Sequence, residues 1–469
     1  MSESLDGRSA GLFGTDGVRG TPGSPPLDER TLARLGAALV RTCSRARDAI
    51  RVLIGRDTRE SGEWITRQLA RGIESEGAQV VDGGLLPTPA IAFLTRDGGF
   101  DAGLVVSASH NPFQDNGVKV ITGRGEKADD DLEARIAALV ADRTWAVPDG
   151  QVPPLEPVAI SNAYIAHASR ILEGVRVAAD LRIAIDCANG ATSQIAPAVL
   201  RGLGLDPVVL SDQPDGRNIN LDCGSIHPDR LARAVVEHGC RLGAAFDGDG
   251  DRVVFVDHRG TLVNGDAVLL IAARRLAASG RLPKRAVVAT VMSNISLEHT
   301  LRADGIAVHR CSVGDRLVWA EMRRRGLALG GEQSGHIIFA DHLATGDGLA
   351  TMLMVVRAVI ETGSDLADLT AALVPWPQVL VNVLVRRRVA LAELPEVSRL
   401  IEDAERSLAG EGRVLVRYSG TEPLLRIMIE GRDQAAIEVL AEAIAERVRA
   451  DLGESLSTRR QDTAVRSQE

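Results

Sequence analysis

Aromatic residues are scarce in this 469-residue chain: seven Phe, four Trp and two Tyr, 3% in all. That argues against an aromatic-rich β-sandwich and against a stacking platform for nucleic acid. Cysteine is equally thin. Cys43, Cys187, Cys223, Cys240 and Cys311 are scattered, odd in number and without a CxxC pair, which fits a reducing cytoplasm. No excess of positive charge exists either. The formal net charge is −9, with no dominant basic stripe, so neither nucleic acid nor an anionic membrane is an expected partner. A small anionic substrate stays open, because a few local arginines can set the field of a cleft. No apolar run reaches about 18 residues, and the opening MSESLDGRSAGLFG has no apolar core, so neither a membrane span nor a signal peptide is expected. GxxxxGK[ST] is absent, as is a GxGxxG following a strand, which excludes a Walker A loop and a dinucleotide site.

What the chain does have is glycine, 47 residues of it, and a length that calls for three or four domains. Helical spacing over Leu27 to Cys43 precedes a buried strand VLIG (52–55), a helix from Ser61 to Glu76 and a second strand AQVVDGG. The strand–loop–helix–Gly–strand pattern recurs from RIAIDCANG (182–190) and from RAVVATVMSN (285–294), which suggests an internally repeated α/β architecture. Linkers are expected at 148–158, at 260–264 and at 375–379. After the last, a β–α–β–β–α order predicts a small α+β domain, with Pro395 at the first position of a helix. Residues 1–10 and the polar tail from Glu454 are expected to lack fixed structure.

Four stretches could carry chemistry. AGLVVSASHNPFQDNGVKV (102–120) runs from a strand into a polar loop and back into a strand. A serine in such a loop is ordinarily a turn former. Here Ser109 follows a strand end in an α/β unit, where ligand sites gather, among more polar groups than a turn needs. Ser107 competes as a nucleophile but sits within the apolar strand. Lys119 reads either as the solvent face of a half-buried strand or as a cation assisting the loop. In DGDGDR, Asp247, Asp249 and Asp251 repel one another unless a cation intervenes, and the glycines let them converge. An EF-hand is excluded, because Arg252 stands at the sixth position and His258 at the twelfth. Few carboxylates plus substrate oxygens suit Mg²⁺. GGEQSGH (330–336) offers donors and acceptors suited to sugar hydroxyls, and RYSGTEP (417–423) with Arg426 offers a phosphate cradle. The chemistry alone reaches metal-dependent phosphoryl transfer on a polyol phosphate.

GTDGVRG near the start, SASHNPFQDNGVK, DGDGDR, GEQSGH, TGDG at 345–348 and RYSGTEP occur together and in order, and span nearly the whole chain. In these the sequence resembles the α-D-phosphohexomutase superfamily; GTDG and GEQSGH point to its glucosamine branch. The resemblance implies three consecutive similar α/β domains with mixed sheets plus a smaller C-terminal α+β domain, around a central cleft. The expected boundaries are 1–158 with the phosphoserine loop, 159–260 with the metal loop, 261–374 with the sugar loop, 375–453 with the phosphate cradle, and 454–469 as a tail. It further implies that Ser109 is phosphorylated in the active enzyme and that one Mg²⁺ is bound by Asp247, Asp249, Asp251 and a phosphoserine oxygen. Glu332 and Ser334 would contact sugar hydroxyls. Arg417, Ser419, Gly420 and Thr421, with Arg426 beyond, would hold the phosphate not being transferred. Lys119, Arg252, His336, Arg19 and His110 would stand near the reacting groups, with Lys119 and His336 both candidates for the general base. Glucosamine 1,6-bisphosphate or a similar bisphosphate would act as activator, and a homodimer is compatible with the sequence. Tyr418 departs from the family pattern, as does Leu317, where an aromatic is common.

Overall fold

The computed structural model describes residues 11–14, 16–43, 49–150, 155–178, 181–419 and 423–453. Gly420, Thr421, residues 1–10 and the 454–469 tail lie outside the described residues. The chain forms two units, one running to Ser293 and resuming over Thr300–Leu373, the other made of Asn294–His299 and the residues from Val374 onward.

The first unit holds three mixed sheets. One contains β1 (Val18–Gly20), β2 (Arg51–Arg56), β3 (Gln79–Leu85), β4 (Ala102–Val106) and β5 (Asn116–Thr122), in the order β1-β5-β4-β2-β3. The next contains β6 (Ile183–Asp186), β7 (Val208–Leu210), β8 (Leu242–Phe246), β9 (Val253–Asp257) and β10 (Leu262–Val263), in the order β10-β9-β8-β6-β7. The third has β11 (Ala286–Thr290), β12 (Ala307–Cys311), β13 (Leu329–Gly331) and β14 (Ile337–Phe339), in the order β12-β11-β13-β14.

These sheets share one plan. Leaving aside the edge strands β1 and β10, each row reads second, first, third, fourth in chain order, with the first three parallel and the fourth antiparallel. The internal repeat suggested by the sequence is therefore present in the topology. Its consequence for the site is direct. The turns β4–β5, β8–β9 and β13–β14 are equivalent positions of three repeats, and they carry Ser109, Asp247–Asp251 and Glu332–His336. Every residue of β4, β8, β9 and β11 is buried, as the continuous apolar runs LVV, AAF, VVFV and AVVA require of strands covered on both faces.

The stretch 260–264, where a linker is expected, includes a short strand. Leu262–Val263 pairs antiparallel with β9, Leu262 opposite Val256, as the return strand of a hairpin. A Gly-containing polar hairpin and a linker have the same composition, and only the pairing separates them.

In the second unit β15 (Gln378–Leu384), β16 (Gly412–Tyr418) and β17 (Leu424–Gly431) form an antiparallel sheet with β17 in the middle. The helices Pro395–Leu408 and Gln434–Leu452 bury Val397, Ala404, Ile437, Ile444 and Val448 against Ile427 and Ile429. Pro395 opens its helix as expected. Among the described residues no helix is long and apolar enough to cross a membrane.

One packing row has a pH consequence. The His167 ring stacks on Phe93 at 4.3 Å and on His342 at 4.2 Å. Burial, then the neighbouring His342, pushes the His167 imidazole down to about 4. The folded state thus favours neutral His167, so this contribution to stability is present above pH 6.5 and is lost as pH falls from 6.5 towards 4. Replacing His167 with Phe keeps the stack and removes the titration. The melting temperature of the variant is expected to fall less steeply than that of the parent across that window, read by calorimetry.

Candidate active site

Ser109 is 1% exposed and sits at φ 52°, a left-handed conformation that a non-glycine residue holds only when its surroundings enforce it. The enforcing groups can be named. Its backbone N–H donates to Ser107 Oγ at 2.9 Å, and Ser107 in turn donates to Asp57 Oδ2 at 2.6 Å. Its carbonyl accepts from Arg59 at 3.0 Å and from Asn220 Nδ2 at 2.9 Å. Arg59 is fully buried, paired with Asp57 at 2.9 Å, and also donates to the carbonyls of Asn111 (2.7 Å), Pro112 and Asp115 (2.9 Å). One guanidinium therefore gathers the whole loop. Ser107 lies one residue past β4 rather than within the strand, and its hydroxyl is committed to Asp57.

The Ser109 hydroxyl donates to Asp247 Oδ2 at 2.6 Å. The two loops meet closely: a Cβ on Gly248 would lie 2.6 Å from the Ser109 carbonyl oxygen, so only glycine fits there. Asp247, Asp249 and Asp251 are buried, and one oxygen of each lies within 4.8 Å of the others. Oδ1 of Asp249 and Oδ1 of Asp251 are buried with no hydrogen-bond donor. Burial, then Asp251 and Asp249, pushes the Asp247 carboxyl well above the ordinary carboxylate range. Three converging carboxylates with unused oxygens fit a hard divalent cation. Asp251, Asp315 and His336 form a second such group, but the Lys127 ammonium already lies among them, 3.6 Å from Asp251 and in direct contact with Asp315.

Lys119 is 2% exposed and pairs with Asp249 at 2.9 Å, Asp16 at 3.0 Å and Asp251 at 3.5 Å. Burial disfavours its charge, but Asp16, Asp249 and Asp251 more than offset that, and its pKa stands well above the ordinary lysine value. It is not on a solvent face: β5 lies between β1 and β4, and the loops cover it. β1 pairs Arg19 opposite Gly117, which brings its guanidinium to Asp16 (2.8 Å) and to Asn111 Oδ1 in the serine loop (3.3 Å). Arg252 Nη1 donates to His110 Nδ1 at 3.2 Å, and that nitrogen lies 3.4 Å from Ser109 Oγ. Burial, then Arg252 and Arg19, lowers the His110 pKa, which keeps the ring neutral. His336 Nε2 accepts the Gly346 N–H at 3.1 Å and lies 3.9 Å from Asp251.

Glu332 is buried, its carboxylate accepting the Gly314 N–H at 3.1 Å, whereas Ser334 is exposed. The backbone N–H of Val253, next to the metal loop, donates to Gly335 at 3.2 Å, so the second and third equivalent turns are joined. In the second unit Arg417 stands directly opposite Arg426 across the β16–β17 pair. Like charges in that register repel unless other groups neutralise them. Arg388 donates to the Ser419 carbonyl at 2.6 Å. The Tyr418 hydroxyl is tied to the Val389 backbone, donating to its carbonyl at 2.7 Å and accepting its N–H at 3.0 Å.

Several groups here were not singled out from the sequence. Arg59 and Asp57 lie in RDTR immediately after a buried strand, a polar cluster at a strand end that could have been flagged. Asp16 and Asp315 lie inside GTDGVRG and VGDRL. Lys127 gives no local signal at all.

A buried serine facing an acidic triad, ringed by Lys and Arg, on the equivalent turns of three α/β repeats, is an arrangement suited to phosphoryl transfer. The comparisons agree. Four phosphoglucomutase/phosphomannomutase models match: alpha/beta/alpha domain I over residues 10–146, domain II over 162–260, domain III over 264–375 and the C-terminal domain over 380–447. The chain belongs to this family. A relative from Solibacter usitatus, named phosphoglucosamine mutase, is 46% identical over 453 residues, covering 94% of this chain and 99% of its own length. Among solved structures, a phosphoglucomutase/phosphomannomutase family protein from Burkholderia thailandensis aligns with a TM-score of 0.77 at 25% identity, over 95% of this chain and 100% of its own. The N-acetylphosphoglucosamine mutase of Aspergillus fumigatus, solved with GlcNAc-6P and magnesium, shares the fold with a TM-score of 0.63 at 18% identity, over 93% of this chain and 95% of its own.

Proposed function

We propose that this chain interconverts glucosamine 6-phosphate and glucosamine 1-phosphate through phospho-Ser109 and glucosamine 1,6-bisphosphate, supplying amino-sugar nucleotide synthesis for the cell envelope in the cytoplasm. The observation that carries the reading is the Ser109 hydroxyl held 2.6 Å from Asp247 in a buried triad. The choice of sugar is supported by the 46% identity to a relative named for glucosamine phosphate.

Phospho-Ser109 gives its phosphoryl group to a sugar hydroxyl: a phosphorus–oxygen bond forms to the sugar, the bond to Oγ breaks, and the hydroxyl proton passes to a base. The bisphosphate turns end for end and returns its other phosphoryl group to Oγ. Asp247, Asp249 and Asp251 would hold Mg²⁺, which supplies neutralisation of the charge on the transferring group. Lys119, Arg252 and Arg19 add fixed positive charge beside Ser109. Lys119 and His336 are the candidate bases for the hydroxyl proton. His110 accepts from Arg252 at its Nδ1 and so orients that guanidinium beside the serine oxygen. Glu332 and Ser334 read sugar hydroxyls, and Arg417, Ser419, Gly420, Thr421 and Arg426 bind the phosphate that stays.

A coupled assay comparing glucosamine, mannose and glucose 6-phosphates, with a trace of bisphosphate to prime Ser109, tests the assignment. The expected result is a kcat/KM for the glucosamine substrate at least about tenfold above the others, the discrimination one well-placed polar contact supplies. A preference for mannose phosphate overturns it.

A further inference from the structure

A cavity of about 230 Å³ in the first unit is lined by Arg170, Arg275, Arg281 and Arg357 together with His167 and His342. It shares Arg275, Arg281 and Arg357 with a neighbouring cavity of about 760 Å³. None of its lining residues belongs to the site described above. Neutralisation of its arginines is incomplete. Glu361 pairs with Arg275 at 2.9 Å and with Arg357 at 2.6 Å, and Asp341 adds one carboxylate to the lining. Arg170 and Arg281, both exposed at the cavity mouth, pair with no carboxylate among the described residues, Arg281 donating only to Ser279 Oγ at 3.4 Å. The remaining wall is apolar, from Ile171, Leu276, Phe339 and Met354. Guanidinium forks beside an apolar wall match a phosphate carried on an organic group.

The cavity is also wired to the catalytic loops. His342 Nε2 bonds Asp347 Oδ2 at 2.9 Å, and Asp347 Oδ1 accepts the Tyr164 hydroxyl at 2.9 Å and the Ala350 N–H at 2.8 Å. On either side of Asp347, Gly346 donates to His336 and Gly348 donates to the Gly250 carbonyl of the metal loop at 3.0 Å. The segment 342–348 therefore has one end in the arginine cavity and the other on two catalytic loops.

We propose that this cavity is a regulatory site for an organic phosphate, read by Arg170 and Arg281 and felt at the metal loop through residues 342–348. The test uses the full chain with Mg²⁺ and adenosine 5′-monophosphate as probe, with inorganic phosphate alone as a second arm, in calorimetric titration. Binding is expected to weaken at least tenfold in R170A/R281A, and equally in R170Q/R281Q should the alanine pair fold poorly, while Arg417→Ala leaves it unchanged. Saturating probe is expected to alter turnover at least twofold in the parent and not in the double variants, whose basal turnover stays at the parent level. Absence of binding at millimolar probe, loss of binding in Arg417→Ala instead, inorganic phosphate binding as tightly as the nucleotide, or unchanged turnover at saturation each overturns the proposal. The binding arm stands apart from the proposed reaction, since it needs no turnover.

Discussion

Ser109→Ala is expected to lower turnover on glucosamine 6-phosphate by about 10⁴-fold or more, the scale on which loss of a covalent nucleophile is felt. The structure makes this a clean substitution. The hydroxyl makes its short bond only to Asp247, while the loop is held by backbone groups: the Ser109 carbonyl on Arg59 and Asn220, and its N–H on Ser107. The variant should therefore fold with unchanged urea stability to within about 1 kcal/mol. Ser107 cannot substitute, because its hydroxyl is committed to Asp57 and is buried. Ser107→Ala carries a different signature. It releases the bond that sets the Ser109 backbone, so partial activity with a lowered level of phosphorylation is the expected outcome.

The second large effect concerns the triad. Chelation is expected to abolish turnover and added Mg²⁺ to restore it, and Asp249→Asn or Asp251→Asn should cost about 10²- to 10³-fold or more, the range for removing one group aimed at developing charge. Asp247→Asn is the more discriminating variant. With no cation present, burial and the flanking Asp251 and Asp249 oppose ionisation of Asp247. A neutral amide removes that repulsion and still accepts from the Ser109 hydroxyl. The metal-free variant is thus expected to melt higher than the metal-free parent. The rise in melting temperature that Mg²⁺ gives the parent should vanish, since a ligand that binds only the folded state stabilises in proportion to its affinity. A calorimetric series with and without Mg²⁺ reads both. A variant that melts lower than the parent without metal would show that the three carboxylates do not strain one another.

How much of this was legible in the sequence follows from where the information lies. Ser109 and the three aspartates stand in short polar loops between apolar strands, so their chemistry and spacing can be read locally. The repeat was visible only as a loose pattern, because α/β units resemble one another. It became definite once the strand orders proved alike and placed the three loops at equivalent turns. Lys119 misleads a local reading, since Val118 and Val120 suggest a strand with one wet face. In fact β5 is an inner strand, and three acidic partners from other elements surround the ammonium. Lys127 is invisible for a related reason: its partners Asp16 and Asp315 lie 111 and 188 residues away. Arg59 serves the serine loop across 50 to 56 residues, a distance that tertiary packing spans and composition does not. The stretch 260–264 falls between the second and third domain models, as a linker does, and its pairing with β9 is what residue type alone does not reveal.

The central claim is that the phosphoryl group resides on Ser109 and travels from it to the sugar. Isolating the chain with radiolabelled phosphate on Ser109 and mixing it with unlabelled glucosamine 6-phosphate tests this within a single turnover. The account predicts that the label leaves the protein at the rate of isomerisation and appears in glucosamine 1,6-bisphosphate. Label that stays on the protein, or leaves only as inorganic phosphate while isomerisation proceeds, would contradict it.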